Sequence, residues 1–357
     1  MLLSTVLVVF AFAACLAGTF AFTRWSRRKE FLDVPNERSS HSKPVPVGAG
    51  LIISSTVLAA LSVAYLSRTF EGLPVISLNL ASVFLIAAVC LVAISWRDDI
   101  KKVPVFLRFL THSAAAALVL WFSSGWIEGL GDYWLPGIIL SFIWIVGLTN
   151  AYNFMDGIDG ISGVQALTAG IGWGALGIVL GLDSIATAGF VVGSASLAFL
   201  VFNWEPARVF MGDSGSAFLG FTFACLPILA VERLNIVGSA DDSVSWVFGL
   251  FGAVLAGPFV VDSSLTFLKR LLKGERVWEA HRSHMYQAMV IGGSRHATVA
   301  LIYAVAGVLC SATVIASVLN PSLLFLPAVG LLSVAIGLAF FAYSRNGKIV
   351  SSATESE

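Results

Sequence analysis

At 357 residues, the chain has the length of two or three soluble domains of about 100–200 residues each, but its composition excludes them. Hydrophobic residues make up 57% of it and charged residues 12%, about half the ~25% of a soluble domain, and mean hydropathy is +0.89. Lys+Arg and Asp+Glu balance at 21 each, so the totals support neither a basic nucleic-acid surface nor an acidic tail.

Stretches free of Asp, Glu, Lys and Arg run over 1–23, 44–67, 72–96, 109–127, 133–155, 160–182, 184–204, 214–231, 243–261 and 296–344. Each reaches the ~18–20 residues of a spanning helix, and Asn320-Pro321-Ser322 divides the last into two. Eleven such segments predict an all-α polytopic membrane protein, since a barrel is built from alternating strands of about 10 residues. Residues 1–344 read as one integral membrane domain and 345–357 as a short polar tail. The first stretch lacks a preceding basic region and is followed by one, so it reads as a retained helix and not a signal peptide. Cys15, Cys90, Cys225 and Cys310 fall in separate spans, which predicts neither a disulfide framework nor a zinc site.

With the N-terminus outside, eighteen of the lysines and arginines lie in cytoplasmic segments and two, Arg68 and Arg233, outside, with Arg108 just inside the fourth span. That bias fixes the expected topology, N-terminus out and C-terminus cytoplasmic. Five polar strings then share the cytoplasmic side: 33–41, Arg97-Asp98-Asp99, 150–160, 203–216 and 280–287. A transporter concentrates its polar groups near the bilayer midplane; here the spans are clean and the chemistry sits at one surface.

Asp98, Asp99, Asp156, Asp159 and Asp213 come from three of these loops. Acids brought this close repel unless a cation joins them, and carboxylates beside Asn150 and Asn153 suit magnesium, or manganese, better than zinc. Asp156-Gly-Ile-Asp-Gly160 and Gly212-Asp-Ser-Gly-Ser216 each precede a span. Each puts flexible backbone at a helix N-terminus, where free amides and the helix dipole favour phosphate. The spacing of the first does not fit an EF-hand. Positive-inside bias explains Lys269, Arg270, Lys273 and Arg276, but not two histidines bracketing an arginine in His281, Arg282 and His284. Arginine grips phosphate bidentately and histidine donates to phosphate or sugar oxygens. His112 reads as a packed residue and His296 as a boundary residue.

Together, DVPNERSSH (33–41), DD (98–99), NAYNFMDGIDG (150–160), FNWEPARVFMGDSGSAFLG (202–220) and HRSHMYQ (281–287) resemble the polyprenyl-phosphate N-acetylhexosamine-1-phosphate transferases. These are glycosyltransferase family 4 enzymes that start bacterial envelope glycans from the cytoplasmic face of the inner membrane. The strings occur in family order over nearly the whole chain, and HRSHMYQ is more similar to the branch that initiates O-antigen and related polysaccharides. The resemblance implies transfer of a sugar 1-phosphate from a UDP-N-acetylhexosamine to undecaprenyl phosphate, releasing UMP. It implies Mg²⁺ held by Asp213 and Asn153, and Asp98 and Asp99 acting on the lipid phosphate, as general base or through a phospho-aspartate. Asn150, Asp156, Asp159, Gly212 and Ser214 would shape the nucleotide pocket. His281, Arg282 and His284 would meet pyrophosphate and sugar, and Asn36, Arg38 and His41 match a further substrate-binding motif. One departure is DDIKK at 98–102, where many members carry DDxxD; Lys101 and Lys102 are then free to meet lipid phosphate or headgroups. A homodimer is compatible with this reading, and a nucleic-acid partner is not expected. The alternatives are the phospho-muramyl-pentapeptide branch and, in another class, a transporter or lipid flippase.

Overall fold

The computed structural model of the chain describes residues 2–35, 43–70, 77–236, 243–276 and 282–354. Its helices are α1 (Leu2–Arg28), α2 (Gly50–Phe70), α3 (Leu78–Ile100), α4 (Val105–Trp121), α5 (Ser124–Glu128), α6 (Trp134–Met155) and α7 (Ile161–Val179). They continue as α8 (Asp183–Asn203), α9 (Asp213–Ile236), α10 (Val244–Leu255), α11 (Gly257–Leu272), α12 (Met285–Ile291), α13 (His296–Leu319) and α14 (Leu326–Thr354). A hairpin of two-residue strands, β1 (Leu32–Asp33) and β2 (Val45–Pro46), forms the one sheet among the described residues.

The charge-free stretches coincide with α1–α4, α6–α10, α13 and α14. Among the described residues, nine helices are long and apolar enough to cross a membrane, and α10 with α11 makes a tenth candidate. The chain is thus an all-α polytopic membrane protein. Two expected spans differ in form. The stretch 243–261 is not one straight span: α10 and α11 meet at an angle of 86°. The break falls at Gly257-Pro258, where proline lacks an amide to continue the helix and sits comfortably at the start of the next. The fourth, α4, has 17 residues, about 26 Å of helix, and begins early enough to include Arg108.

The centre of the bundle is α9, whose most apolar window is entirely enclosed. It packs against α2, α3, α6 and α10. A helix buried on all sides is apolar on all sides, which is why its sequence shows no stripe. By contrast, α1 and α14 bury few of their residues and expose Val9, Phe10, Ile336 and Phe340, as a lipid-facing surface requires. Helices α7 and α8 approach closely because Gly170 faces Gly189 and Gly193: a β-carbon on Gly170 would lie 2.7 Å from Gly189 O. The four cysteines are unpaired.

Candidate active site

Asp99, at the last turn of α3, reaches the first turn of α9. Its Oδ1 accepts from Asp213 N at 2.8 Å and its Oδ2 from Ser214 N at 3.1 Å. A carboxylate suits the positive end of a helix dipole, so the amides expected to meet phosphate at this N-terminus are held by the protein's own anion. Gly212 makes the approach feasible. Its φ is +77° and a β-carbon there would lie 2.8 Å from Asp99 Oδ1, a backbone and a space that glycine alone tolerates.

Asp213 is then aimed at two further elements. Asn153 Nδ2, from the last turn of α6, donates to Asp213 Oδ1 at 2.8 Å and to Ser216 Oγ at 3.2 Å. Arg108 Nη1, from the first turn of α4, donates to Asp213 Oδ2 at 2.8 Å and to Asp98 Oδ2 at 3.1 Å. Asp98 is buried and also accepts from Val103 N, while Lys102 Nζ stands 3.5 Å away. The aspartate pair is therefore interior structure and not a solvated helix end. Lys102 stands in the place of the missing third acid, and its exposed ammonium pairs only at the edge of the network, with Asp98.

The loop between α6 and α7 joins the same end of the bundle. Gly160 N donates to Asn203 Oδ1 at 3.0 Å, and Asn203 Nδ2 donates to Val209 O at 2.9 Å, tying the start of α7 to the segment that leads into Gly212. Asp159 accepts from Ala207 N at 3.1 Å, and His296 Nδ1 lies 3.5 Å from its Oδ2, so His296 is a boundary residue with a partner in the site. Burial raises the Asp156 carboxyl to about 7, reinforced by the charges of Asp213, Asp99 and Asp159. The sequence-derived acids therefore share one electrostatic site. Asn150, one turn before Asn153, donates to Val146 O of its own helix at 2.7 Å. His112 is buried as a packing residue on α4.

The β1–β2 hairpin with the start of α2, and α12, reach the same end of the bundle. Phe210 N donates to Pro46 O at 2.7 Å, and Ala49 N and Gly50 N donate to Phe210 O and Met211 O at 3.1 and 2.8 Å, pinning the hairpin to the strand-like approach of Gly212. Asn36, Arg38, His41 and His281 lie outside the described residues. Arg282 is exposed and His284 buried. Tyr286 stacks beside the His284 ring, with centroids 5.7 Å apart, and its hydroxyl donates to Phe154 O at 3.1 Å. Burial and the nearby Asp262 and Asp156 hold that phenol well above its ordinary range.

Sequence reasoning placed Arg108 just inside the fourth span and His296 at a boundary without giving either a part in the site, and it passed over Asp262. Arg108 carried a usable signal: a basic residue inside a span pairs with something.

The donor set fits a hard cation. Among the described residues no three His, Cys, Asp or Glu side chains form a ready-made cage, but Mg²⁺ usually takes one or two carboxylates and completes its shell with waters and substrate phosphates. Asp213 and the amide oxygen of Asn153 are the groups that would hold it. The guanidinium of Arg108 lies between Asp98 and Asp213, supplying positive charge to both.

A profile of glycosyl transferase family 4 matches residues 81–231, the segment that carries Asp98, Asp99, Asn150–Asp159 and Gly212–Ser216. The chain is 25% identical over 285 residues to a probable undecaprenyl-phosphate N-acetylglucosaminyl 1-phosphate transferase of Bacillus subtilis, covering 76% of this chain and 73% of that one. It is 28% identical over 349 residues to a decaprenyl-phosphate N-acetylglucosaminephosphotransferase of Mycobacterium leprae, covering 89% and 83%. A phospho-N-acetylmuramoyl-pentapeptide-transferase of Moorella thermoacetica is 29% identical over 202 residues, 53% of this chain and 57% of that one. The likeness runs through the helices that build the acidic network and extends over most of the chain, and the family to which the chain is similar is glycosyl transferase family 4.

Proposed function

We propose that the protein transfers N-acetylhexosamine 1-phosphate from a UDP-sugar to undecaprenyl phosphate at the cytoplasmic face of a bacterial inner membrane, at the start of O-antigen or a related envelope polysaccharide. The observation that carries this reading is the network of Asp99, Asp213, Asn153, Arg108 and Asp98, which joins three motif strings at one end of the helices. The names of the relatives matched over most of the chain support the lipid acceptor and the N-acetylglucosamine class of donor.

In this reaction an oxygen of the lipid phosphate forms a bond to the sugar-bearing phosphorus of the UDP-sugar. The bond from that phosphorus to the bridging oxygen breaks, and UMP leaves with the electron pair. Phosphoryl transfer depends chiefly on positioning and on stabilising negative charge. A bound Mg²⁺ would neutralise pyrophosphate and leaving-group charge. Asp213 and Asn153 hold their side chains ready for it, and Asp99 fixes Asp213 by its backbone. Arg108 attracts the incoming lipid phosphate, and Asp98 orients Arg108. A phosphate monoester has a second pKa near ~6, so Asp98 has only a residual proton to receive. Asp156, Asp159, Asn150, Gly212 and Ser214 wall the nucleotide side, and Arg282 and His284 meet pyrophosphate and sugar.

The test is a panel of UDP-sugars offered to purified protein with undecaprenyl phosphate and Mg²⁺, reading UMP. UMP from a UDP-N-acetylhexosamine is expected. Release only from the muramyl-pentapeptide donor would move the protein to that branch, and no UMP from any donor would reject the enzyme reading. Asp213→Ala with full activity and unchanged Mg²⁺ dependence would remove Asp213 from its role.

A further inference from the structure

We propose that the seam between α1 and α8 binds an anionic glycerophospholipid of the surrounding bilayer, its phosphate gripped by Arg24 and Arg208 and one acyl chain lying in the apolar groove below them. The proposal stands apart from the transfer reaction and uses neither the acids nor Arg108.

Arg24 sits in the last two turns of α1, and Arg208 follows the end of α8 in the segment that leads to α9. Arg24 Cζ lies 4.5 Å from the centre of the Phe20 ring and Arg208 Cζ 4.9 Å from that of Phe202. The two rings are themselves 6.5 Å apart across the helix pair. Stacking on a ring face holds a guanidinium in place without using its N–H donors. Arg208 uses one of them, from Nη2 to Val201 O, and its backbone N donates to Phe202 O at 2.8 Å, which curls the chain back over the ring. Arg108, Arg270 and Arg295 each meet a carboxylate. Arg24 and Arg208 meet none within ion-pair distance among the described residues.

Positive-inside bias accounts for basic residues at this end, such as Arg27 and Arg28, but not for two guanidiniums set on rings beside a groove. The groove is lined by Phe12, Ala13, Leu16, Ala17 and Phe20 of α1 and Phe202 of α8, with no polar surface. Ala13 and Ala17, four residues apart, share one face of the helix, and their small side chains leave a trough between the larger neighbours. From Phe20 to Phe12 it extends about 12 Å along the helix axis, away from the arginines and toward the middle of the span. Positive charge at the membrane surface above an apolar trough is complementary to a phosphodiester carrying an acyl chain. Arginine takes phosphate oxygens bidentately, and basic residues near the surface favour anionic headgroups. A zwitterionic headgroup brings a cation of its own and gains less. Because the chain runs from Arg208 directly to Gly212 and the start of α9, a bound headgroup would also steady that approach.

The test reads the melting temperature of the full chain in neutral detergent as phosphatidylglycerol, phosphatidylcholine of the same chains, undecaprenyl phosphate or inorganic phosphate is titrated in. Phosphatidylglycerol is expected to raise it saturably by several degrees, as a ligand of the folded state does, and phosphatidylcholine and inorganic phosphate are not. Arg24→Gln combined with Arg208→Gln is expected to match the wild type without lipid and to need about tenfold or more phosphatidylglycerol for the same gain. Arg27→Gln combined with Arg28→Gln removes as much charge from the same end and is expected to move that midpoint by less than about threefold. Ala17→Phe fills the groove without changing charge and is expected to weaken the lipid as the first pair does, a second reading should that pair fold poorly. Equal losses from the two arginine pairs would reduce the effect to general surface charge and overturn the site. Equal gains from the two glycerophospholipids, a gain from inorganic phosphate as large as that from phosphatidylglycerol, or unchanged affinity in Ala17→Phe would overturn it too. A larger gain from undecaprenyl phosphate, lost in the same variants, would give the groove to that lipid and overturn the assignment.

Discussion

Replacing Arg108 with methionine tests the charge balance of the site directly. The substitution keeps much of the side chain's apolar bulk and removes the one cation among the described residues that touches both Asp98 Oδ2, at 3.1 Å, and Asp213 Oδ2, at 2.8 Å. At an effective dielectric of ~20 each contact is worth roughly 5–6 kcal/mol before desolvation is subtracted. Removing one partner of a fully buried pair costs about 3–5 kcal/mol, most of it from the stranded charge. Arg108 and Asp213 are 26% and 25% exposed, so solvent screening reduces the expected net loss to about 1–3 kcal/mol. Lys102 compensates little: it reaches Asp98 at 3.5 Å and is 86% exposed. Thermal unfolding in detergent with EDTA is the assay, and the variant is expected to melt several degrees lower. Titrating Mg²⁺ should then raise the melting temperature of the variant more than that of the wild type, because a ligand that binds the folded state stabilises it in proportion to occupancy and Arg108 no longer competes for the carboxylates. Equal melting temperatures in EDTA, or equal gains with Mg²⁺, would refute the reasoning.

Three further outcomes are expected. Asp156→Asn changes the pH dependence of stability. The folded-state carboxyl is raised to about 7, so its contribution is fully present below the unfolded carboxylate value near ~4 and is lost as pH rises through 7. Melted in EDTA, the variant should gain on the wild type between pH 4 and 8, and a gap independent of pH would refute this. Gly50→Ala forces a β-carbon to 2.3 Å from Gly215 N and Cα; neither backbone can yield, and a loss of about 3 kcal/mol by denaturant unfolding is expected. Tyr286→Phe deletes the bond to Phe154 O, with an expected cost of about 1 kcal/mol and a raised KM for the UDP-sugar.

Charge scarcity made the helices legible, because an apolar run of 20 residues has few other fates in a membrane protein. It also made the convergence of the acids legible: with polar strings confined to helix ends on one side, α3, α6 and α9 could only bring Asp98, Asp99, Asn153 and Asp213 together there. What fills the N-terminus of α9 was not legible. The helix dipole favours any anion, and a linear pattern does not distinguish a substrate phosphate from Asp99 arriving from 114 residues away. The bend between α10 and α11 was hidden because both arms near it are apolar. Asp262 was hidden by its position at the border, where an acid beside a basic loop looks like the first loop residue and not the last buried one.

If the proposed reaction holds, the turn of α4 that carries Arg108 is where its lipid and nucleotide substrates would be kept apart. Arg108 points inward to the acids, while Val105, Phe106, Phe109 and Leu110 around it remain exposed, Phe106 by 74%. A cluster of exposed aromatic and aliphatic side chains beside an inward arginine suits an amphiphile whose phosphate is drawn to the guanidinium while its hydrocarbon stays outside the bundle. On the proposed reaction, the nucleotide sugar, which has no such tail, would meet the loop 156–160 and the α12 side instead. Phe106→Asn is therefore expected to raise KM for undecaprenyl phosphate several-fold while leaving KM for the UDP-sugar unchanged, since burying a Phe ring against hydrocarbon is worth about 1.5–3 kcal/mol at full coverage and a tail covers only part of it. The same change should matter less with a short-chain, water-soluble polyprenyl phosphate, which covers less of the ring. An equal effect on both substrates, or on long and short acceptors alike, would place the lipid on another face of the bundle and leave Arg108 with the acids as its only partners.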